Sequence, residues 1–131
     1  MSRKQSRETA FKLLFSLCFA AEINTPLEMA TDEKPDEKET IYIEKLCAAV
    51  RGNLAGLDAL IEKHAHGFAL DRLFKIDLTV LRMAVGEILY MEETPKVVAV
   101  NEAVNIAKKY GTEKSAAYIN GILASILKER Q

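Results

Sequence analysis

The sequence has little cysteine and no tryptophan: two cysteines and three prolines occur in 131 residues. Two cysteines cannot build a disulfide framework or a four-ligand zinc site. Cys18 and Cys47 both lie on predicted apolar helix faces, which favours packing over nucleophilic catalysis as their role. We therefore expect neither a metal site nor a cofactor.

Long apolar runs are absent as well. A membrane-spanning helix needs about 18 or more consecutive apolar residues, and no such run occurs. The apolar stretch near the N-terminus is interrupted by Lys12 and Glu22 and has no small-residue cleavage pattern, which argues against a signal peptide. With 49% hydrophobic residues, the chain is expected to form one globular domain over 1–131, in the cytoplasm and not at a membrane.

The net charge is close to zero, at −1, so no overall basic field draws the chain to nucleic acid. The charge is nevertheless unevenly distributed along the chain. Residues 1–12 and 108–131 each carry a net charge of +3, whereas residues 22–44 carry −6. A fold that joins the two ends would build a local basic surface.

Motifs typical of catalysis are also missing. The six glycines are scattered and form no phosphate-binding loop. His64 and His66 are two residues apart, so they cannot share one helix face, and we interpret them as surface residues at a helix end. The sequence therefore predicts a protein that is not an enzyme and has no catalytic residue.

The chain does show helical periodicity along most of its length. Apolar residues recur at helical spacing in five stretches: 11–21, 43–61, 78–89, 97–110 and 119–127. Asp77 is interpreted as an N-cap, Pro95 as a helix start and Gly111 as the residue just past a helix end. A short element is expected at 70–74, and residues 24–40 read as a solvated connection. We predict an all-α fold of five to seven helices.

Two local features need a specific explanation. Residues 3–7, with the sequence Arg-Lys-Gln-Ser-Arg, form a short cationic arm that can pair with phosphates and become ordered as it binds RNA. Exposed cations without a specific role are the alternative. Gly121 lies inside the last helical stretch, where a glycine costs about 1 kcal/mol relative to alanine. Close approach of a neighbouring helix explains it, and a ligand backbone is the second explanation.

Several spaced motifs follow one another in the C-terminal half: Leu81-Arg82-Met83-Ala84 with Glu87, Val100-Asn101-Glu102-Ala103-Val104, Tyr110-Gly111, and Tyr118-Ile119-Asn120-Gly121. Their order resembles the NusB family of bacterial transcription antitermination factors. Residues 7–15 and 42–60 fit the first and third helices of that family, and residues 22–40 are the part that the resemblance does not specify. The resemblance implies an all-α fold of about seven helices in two packed three-helix bundles.

The same resemblance implies a function. It implies binding to a boxA element in the leader transcripts of ribosomal RNA, as a heterodimer with NusE, which is also a protein of the small ribosomal subunit. Such a pair helps RNA polymerase, within an antitermination complex, to resist termination on long untranslated transcripts.

Two sets of site residues are expected: the resemblance supplies most of them, and Lys12 and Lys114 are added for their charge, Lys114 at a site that is often acidic in the family. The RNA-binding set is Arg3, Lys4, Arg7, Lys12, Phe15, Lys114 and Tyr118. The set expected to bind NusE is Asp77, Arg82 and Glu87. Cations pair with phosphates, and exposed rings stack on unpaired bases at about 1–3 kcal/mol per base. Packing in the core is the alternative for Phe15 and Tyr118, and it is the stronger alternative for Phe15, which lies on the apolar stripe. An N-cap role is the alternative for Asp77, and a bond to another helix is the alternative for Glu87.

Two departures from the family pattern reduce the expected RNA surface. Gly86 stands where an aromatic residue is frequent, and Ala117 stands where a cation often precedes the aromatic residue. We therefore expect weak RNA binding without NusE. The alternative function is a helical protein–protein adaptor or homodimer with a reduced RNA-binding surface. A helical domain for a small ligand is a third class, for which the sequence offers no polar constellation.

Overall fold

The computed structural model describes residues 1–19, 30–31, 33–66 and 69–130. Every regular element in these residues is helical, which confirms the predicted fold class. The α-helices are α1 (Arg3–Leu14), α2 (Glu37–Gly52), α3 (Leu54–His64), α4 (Lys75–Tyr90), α5 (Lys96–Tyr110) and α6 (Ser115–Glu129). Two short 3₁₀ helices cover Phe15–Cys18 and Leu70–Arg72, and the second is the short element expected at 70–74.

Helix α4 is the centre of the fold. Every residue from Asp77 to Ile88 is buried, because α1, α2, α3, α5 and α6 all pack against this helix. Helices α1 and α2 also pack on each other, as do α5 and α6. The packing agrees with the expected all-α fold, although the described residues form six α-helices where the resemblance implied about seven.

The cationic residues near the N-terminus are already helical. Ser2 caps α1 reciprocally with Gln5: the Gln5 amide donates to Ser2 Oγ at 3.1 Å, and the Ser2 amide donates to Gln5 Oε1 at 2.7 Å. This capping box satisfies backbone donors at the start of the helix. Residues 3–7, which the sequence suggested as an arm that becomes ordered on binding RNA, are therefore part of α1 in this structure. The α-helix also ends earlier than the apolar pattern indicates, since the chain tightens into a 3₁₀ turn after Leu14.

The apolar stretch 43–61 forms parts of two helices. Asn53 separates α2 from α3 with a φ of −129°, and its side-chain amide donates to the Ala49 carbonyl at 2.8 Å. This bond satisfies a carbonyl that the end of α2 leaves without a helical partner. Periodicity did not reveal the break because apolar residues continue on both sides of it.

Two expected helix ends are confirmed and one is wrong. Helix α5 starts directly after Pro95, and Gly111 follows its last residue. A Cβ at Gly111 would lie 2.4 Å from Ser115 Oγ, so this glycine leaves room for the start of α6. Asp77 is not an N-cap: Phe74 holds that position, and Asp77 lies inside the first turn of α4.

The explanations offered for Gly121 and Gly86 are both corrected. A Cβ at Gly121 would meet no described atom within 4 Å, so close helix packing does not account for this glycine, and we have no physical account of it. Gly86 lies in the buried part of α4, where a Cβ would approach Val50 Cγ2 to 2.9 Å. It therefore allows α2 and α4 to pack closely, and it does not belong to an RNA surface.

The structure corrects one of the two histidine predictions. His64 is buried: its Nδ1 hydrogen-bonds with Ser125 Oγ at 2.7 Å and its Nε2 faces Glu129, which ties α3 to α6. His66 is exposed, as expected. Cys47 is buried, and burial raises the pKa of its thiol to about 11.

Of the connection predicted at 24–40, residues 24–29 and 32 lie outside the described residues, as does Gly67. The prediction is wrong for residues 37–40, which form the first turn of α2 after the N-cap Asp36. Among the helices that the structure describes, none is long and apolar enough to cross a membrane.

Candidate nucleic-acid interface

An apolar groove lies where the C-terminal half of α1 meets the last turn of α5 and the first turn of α4. Its lining consists of Phe11, Lys12, Phe15, Ile76 and Tyr110, and its volume is about 240 Å³. We call these five residues the aromatic groove. Because α1 and α5 meet here, the fold brings basic residues from both ends of the sequence together, which is the condition for a joint surface.

The rings of the groove are packed against one another. The ring centroid of Phe11 lies 5.1 Å from that of Tyr110 and 6.5 Å from that of Phe15. Phe15 in turn contacts Phe19 edge to face at 5.3 Å. Packed rings that remain partly exposed offer a rigid platform on which unpaired bases stack without regard to sequence.

Lysine side chains surround the groove. Lys12 is exposed and is part of the lining. Lys75 Nζ lies 5.8 Å from the ring centroid of Phe19, and Lys109 Nζ lies 5.4 Å from that of Tyr110. Ammonium groups next to ring faces are suited to the phosphates that flank stacked bases.

Tyr118 and Asp77 lie close to each other, and Asp77 directly follows Ile76 of the groove in the chain. Burial raises the pKa of the Asp77 carboxyl, and burial followed by the Asp77 charge raises that of the Tyr118 hydroxyl. Within the described part of the chain, Asp77 Oδ1 and the Tyr118 hydroxyl have no hydrogen-bond partner. Buried polar atoms in this state gain free energy from a ligand that offers hydrogen bonds. Lys114 is exposed and directly precedes α6.

Arg3 is held in place by residues of α2. Its guanidinium donates to Glu39 at 2.9 and 3.2 Å and lies 4.0 Å from the ring centroid of Tyr42. Ser6 also donates to Glu39, at 2.8 Å. Lys4, on the same helix, is exposed. Lys4 and Lys12 are therefore more accessible to a phosphate than Arg3.

Replacing Glu39 with glutamine is expected to lower the free energy of unfolding at neutral pH by about 1.5 kcal/mol, because Arg3 loses a charged acceptor. The hydrogen bonds from Arg3 hold the pKa of Glu39 below its ordinary value of 4.5. The ionised Glu39 carboxylate therefore contributes its full stabilisation of the fold above pH 4.5. This contribution is lost as the pH falls through the pKa of Glu39 in the folded state. Thermal unfolding of both proteins from neutral to acidic pH checks this. A stability difference that stays constant over the range would contradict it.

Arg7 and Glu87 form a buried ion pair. Arg7 donates to Glu87 at 2.8 Å through Nε and again at 2.8 Å through a terminal nitrogen, and the two side chains are 5% and 1% exposed. Tyr42 and Thr94 donate to the same carboxylate at 2.8 and 2.9 Å. Burial opposes the charge on Arg7, but the hydrogen bonds to Glu87, together with the nearby Tyr42, Glu87 and Glu102 charges, more than offset it and raise the pKa of Arg7.

This network changes the roles expected for two residues. Arg7 cannot reach a phosphate without leaving Glu87, and Glu87 cannot touch a partner protein. The bond of Glu87 to another helix, offered as its simpler explanation, is the one observed. Both residues instead hold α1 against α4, and so fix the position of the aromatic groove.

Arg82 has a similar structural role. Its guanidinium donates to both carboxylate oxygens of Asp58, at 2.7 and 2.9 Å, and its side chain is largely buried. The bidentate pair ties α4 to α3. Of the three residues expected to bind NusE, only Asp77 lies next to the groove.

Sequence reasoning missed Phe11, Ile76, Lys109 and Tyr110 as members or neighbours of the groove. The signal for Phe11 was present, since it precedes Phe15 by one helical turn. The contact of Tyr110 with Phe11 joins residues far apart in the chain, so no local sequence pattern indicates it.

Comparison with known proteins decides the family. The NusB family profile matches residues 4–128. The chain belongs to the NusB family. Transcription antitermination protein NusB of Agathobacter rectalis is 41% identical over 128 residues, covering 95% of this chain and 98% of that protein. NusB of Clostridium novyi is 40% identical over 132 residues, covering 98% and 99%.

Solved NusB structures share the fold. The structure of T. maritima NusB superposes with a TM-score of 0.88 at 35% identity, covering 98% of this chain and 92% of that one. A structure of the antitermination factors NusB and NusE in complex with dsRNA gives a TM-score of 0.85 at 28% identity, covering 97% and 96%. The family resemblance read from the spaced motifs is confirmed.

Proposed function

We propose that this chain is an RNA-binding transcription antitermination factor that acts with NusE on boxA RNA of ribosomal RNA leader transcripts. The observation that carries the proposal is the aromatic groove with its lysines, built from both ends of the chain. The names of relatives at 40–41% identity support antitermination. A NusB relative in complex with NusE and dsRNA supports both partners.

In the proposed mechanism the protein assembles a complex and catalyses no reaction. Unpaired bases stack on Phe15 and Tyr110, while Lys12 pairs with the phosphates that flank them. Lys4 extends the cationic surface along α1, and Lys114 does so at the start of α6. Arg7 contributes by holding α1 in place, not by contacting RNA.

We place the NusE contact next to Asp77, at the start of α4. Arg82 and Glu87 support this region from inside the fold. A partner bound here would lie beside the groove, so RNA could touch both proteins at once. This arrangement explains why we expect weak RNA binding alone and stronger binding with NusE, before the pair joins the RNA polymerase antitermination complex. We expect this assembly in the cytoplasm.

A protein–protein adaptor or homodimer is the second candidate. Val97 and Val98, at the start of α5, are 64% and 37% exposed, and exposed neighbouring apolar residues favour a protein contact. An adaptor would bind its partner with the same affinity whether or not RNA is present, because no RNA surface contributes.

Fluorescence anisotropy of labelled boxA RNA, with and without NusE across a salt series, tests the proposal against a base-scrambled RNA. We expect a preference for boxA that NusE strengthens and salt weakens. Lys12→Ala should reduce the slope of log affinity against log salt by about 0.7–0.9. Lys128→Ala, an exposed lysine near the end of α6, is the matched control and should change little. No preference for boxA in either condition would leave the adaptor function.

A further inference from the structure

Glu8 accepts hydrogen bonds from two donors at the edge of the aromatic groove. Its Oε1 accepts from Lys109 Nζ at 2.7 Å and from the hydroxyl of Tyr110. Glu8 belongs to α1, whereas Lys109 and Tyr110 are the last two residues of α5. The side chain of Lys109 is 61% exposed and that of Glu8 is 20% exposed, so this contact lies at the protein surface.

The position of this contact matters because it separates two concave surfaces. One is the aromatic groove, which includes Tyr110. The other has a volume of about 270 Å³ and includes Gln5, Glu8 and Lys109. Lys12 lines both. A polynucleotide that leaves the groove past Lys12 therefore passes directly over Lys109 and Glu8.

An ammonium and a hydroxyl that converge on one carboxylate oxygen offer the same charge and donors to a phosphate oxygen. We propose that Lys109 and Tyr110 form a backbone-phosphate site that Glu8 occupies in the free protein, so that RNA binding replaces the carboxylate with a phosphate. This inference rests on the proposed RNA-binding function. The exchange makes Glu8 an internal competitor, which lowers the affinity for RNA.

The charge state of Glu8 supports this exchange. Burial disfavours its charge, but the bonds from Lys109 and Tyr110 hold the pKa of Glu8 below its usual range. Glu8 is therefore ionised at neutral pH and neutralises Lys109. When a phosphate binds Lys109, it releases a cation, but the freed Glu8 carboxylate takes one up. Lys109 and Glu8 together therefore add almost nothing to the net release of counterions.

Glu8→Gln tests the site in the full chain with NusE, using labelled boxA RNA across a salt series. Removing the competing charge should strengthen binding about two- to fivefold, the range expected for an exposed ion pair. In this variant no freed carboxylate takes up a cation when Lys109 binds the phosphate. The cation released from that phosphate is then counted in full, and the salt slope should steepen by about 0.7. In a Lys109→Ala background, Glu8→Gln should give no gain.

Glu33→Gln is the matched control. Glu33 lines the same concave surface but pairs with the N-terminal ammonium at 3.6 Å and not with Lys109. Its substitution should leave the salt slope unchanged. Tyr110→Phe is a second variant that retains the ring on Phe11, and it should weaken RNA binding about threefold through the loss of one donor. Thermal unfolding of each variant checks that the fold is kept.

The outcomes separate the two proposals. If wild-type protein binds boxA RNA and Glu8→Gln binds no more tightly, the phosphate site is contradicted and RNA binding stands. An equal gain from Glu33→Gln, or a gain that survives Lys109→Ala, also overturns it, since general repulsion then explains the effect. If wild-type protein shows no RNA binding with or without NusE, the proposed function fails and this site with it.

Discussion

Replacing Glu87 with alanine is expected to lower the free energy of unfolding by about 3–5 kcal/mol, which is a large part of the stability of a small domain. The substitution leaves the Arg7 guanidinium charged and buried without its partner. It also removes the acceptor of the Tyr42 and Thr94 hydroxyls. Urea denaturation followed by circular dichroism measures the loss.

Glu93→Ala is the control for this experiment. Glu93 pairs with Lys45 at 3.3 Å, but both side chains are about half exposed, and exposed pairs contribute little. We expect its midpoint of unfolding to stay close to that of the wild type. If Glu87→Ala were as stable as Glu93→Ala, Arg7 would have to reach solvent or another acceptor, and a direct contact of Arg7 with RNA would again be possible.

Replacing Phe15 with alanine is expected to weaken RNA binding about 5- to 150-fold, the range that corresponds to the loss of one base–aromatic stack. Phe15 lines the groove and is partly exposed, so the ring is accessible to a base. Its contacts with Phe11 and Phe19 hold it in place. Anisotropy with boxA RNA and NusE measures the change in affinity.

Tyr90→Ala is the matched control for Phe15→Ala. Tyr90 is an aromatic residue with 44% exposure at the far end of α4, about 21 Å along the helix axis from Ile76 in the groove. We expect its affinity for RNA to match that of the wild type. Thermal unfolding of both variants separates a loss of stacking from a loss of fold. Equal weakening by the two substitutions would argue against the groove.

The helices were predictable because their signals are local. Apolar spacing located the described α-helices, with α2 and α3 read as one stretch, and Pro95 and Gly111 marked the ends of α5. The break at Asn53 was not predictable in this way, because the apolar pattern continues across it. Asp77 was placed wrongly for a related reason: an acidic residue suits both an N-cap and a first helical turn, and only the backbone distinguishes them.

The candidate site was predictable in part. Lys12 and Phe15, which were expected to bind RNA, both line the groove. Arg7 and Glu87 were placed on binding surfaces, but they pair with each other across 80 residues of sequence. A single sequence carries no local signal for a contact between residues so far apart in the chain. Lys109 was counted only as charge near the C-terminus, since its contact with Glu8 likewise depends on how α1 meets α5.

Ultraviolet cross-linking of boxA RNA to the protein bound to NusE, followed by mass spectrometry of the cross-linked peptides, tests the position of the RNA most directly. We expect cross-links on Phe15, Tyr110 and Tyr118, the rings in and beside the groove. Cross-links confined to Tyr90, with none on those three rings, would contradict an RNA-binding surface at the junction of α1, α4 and α5.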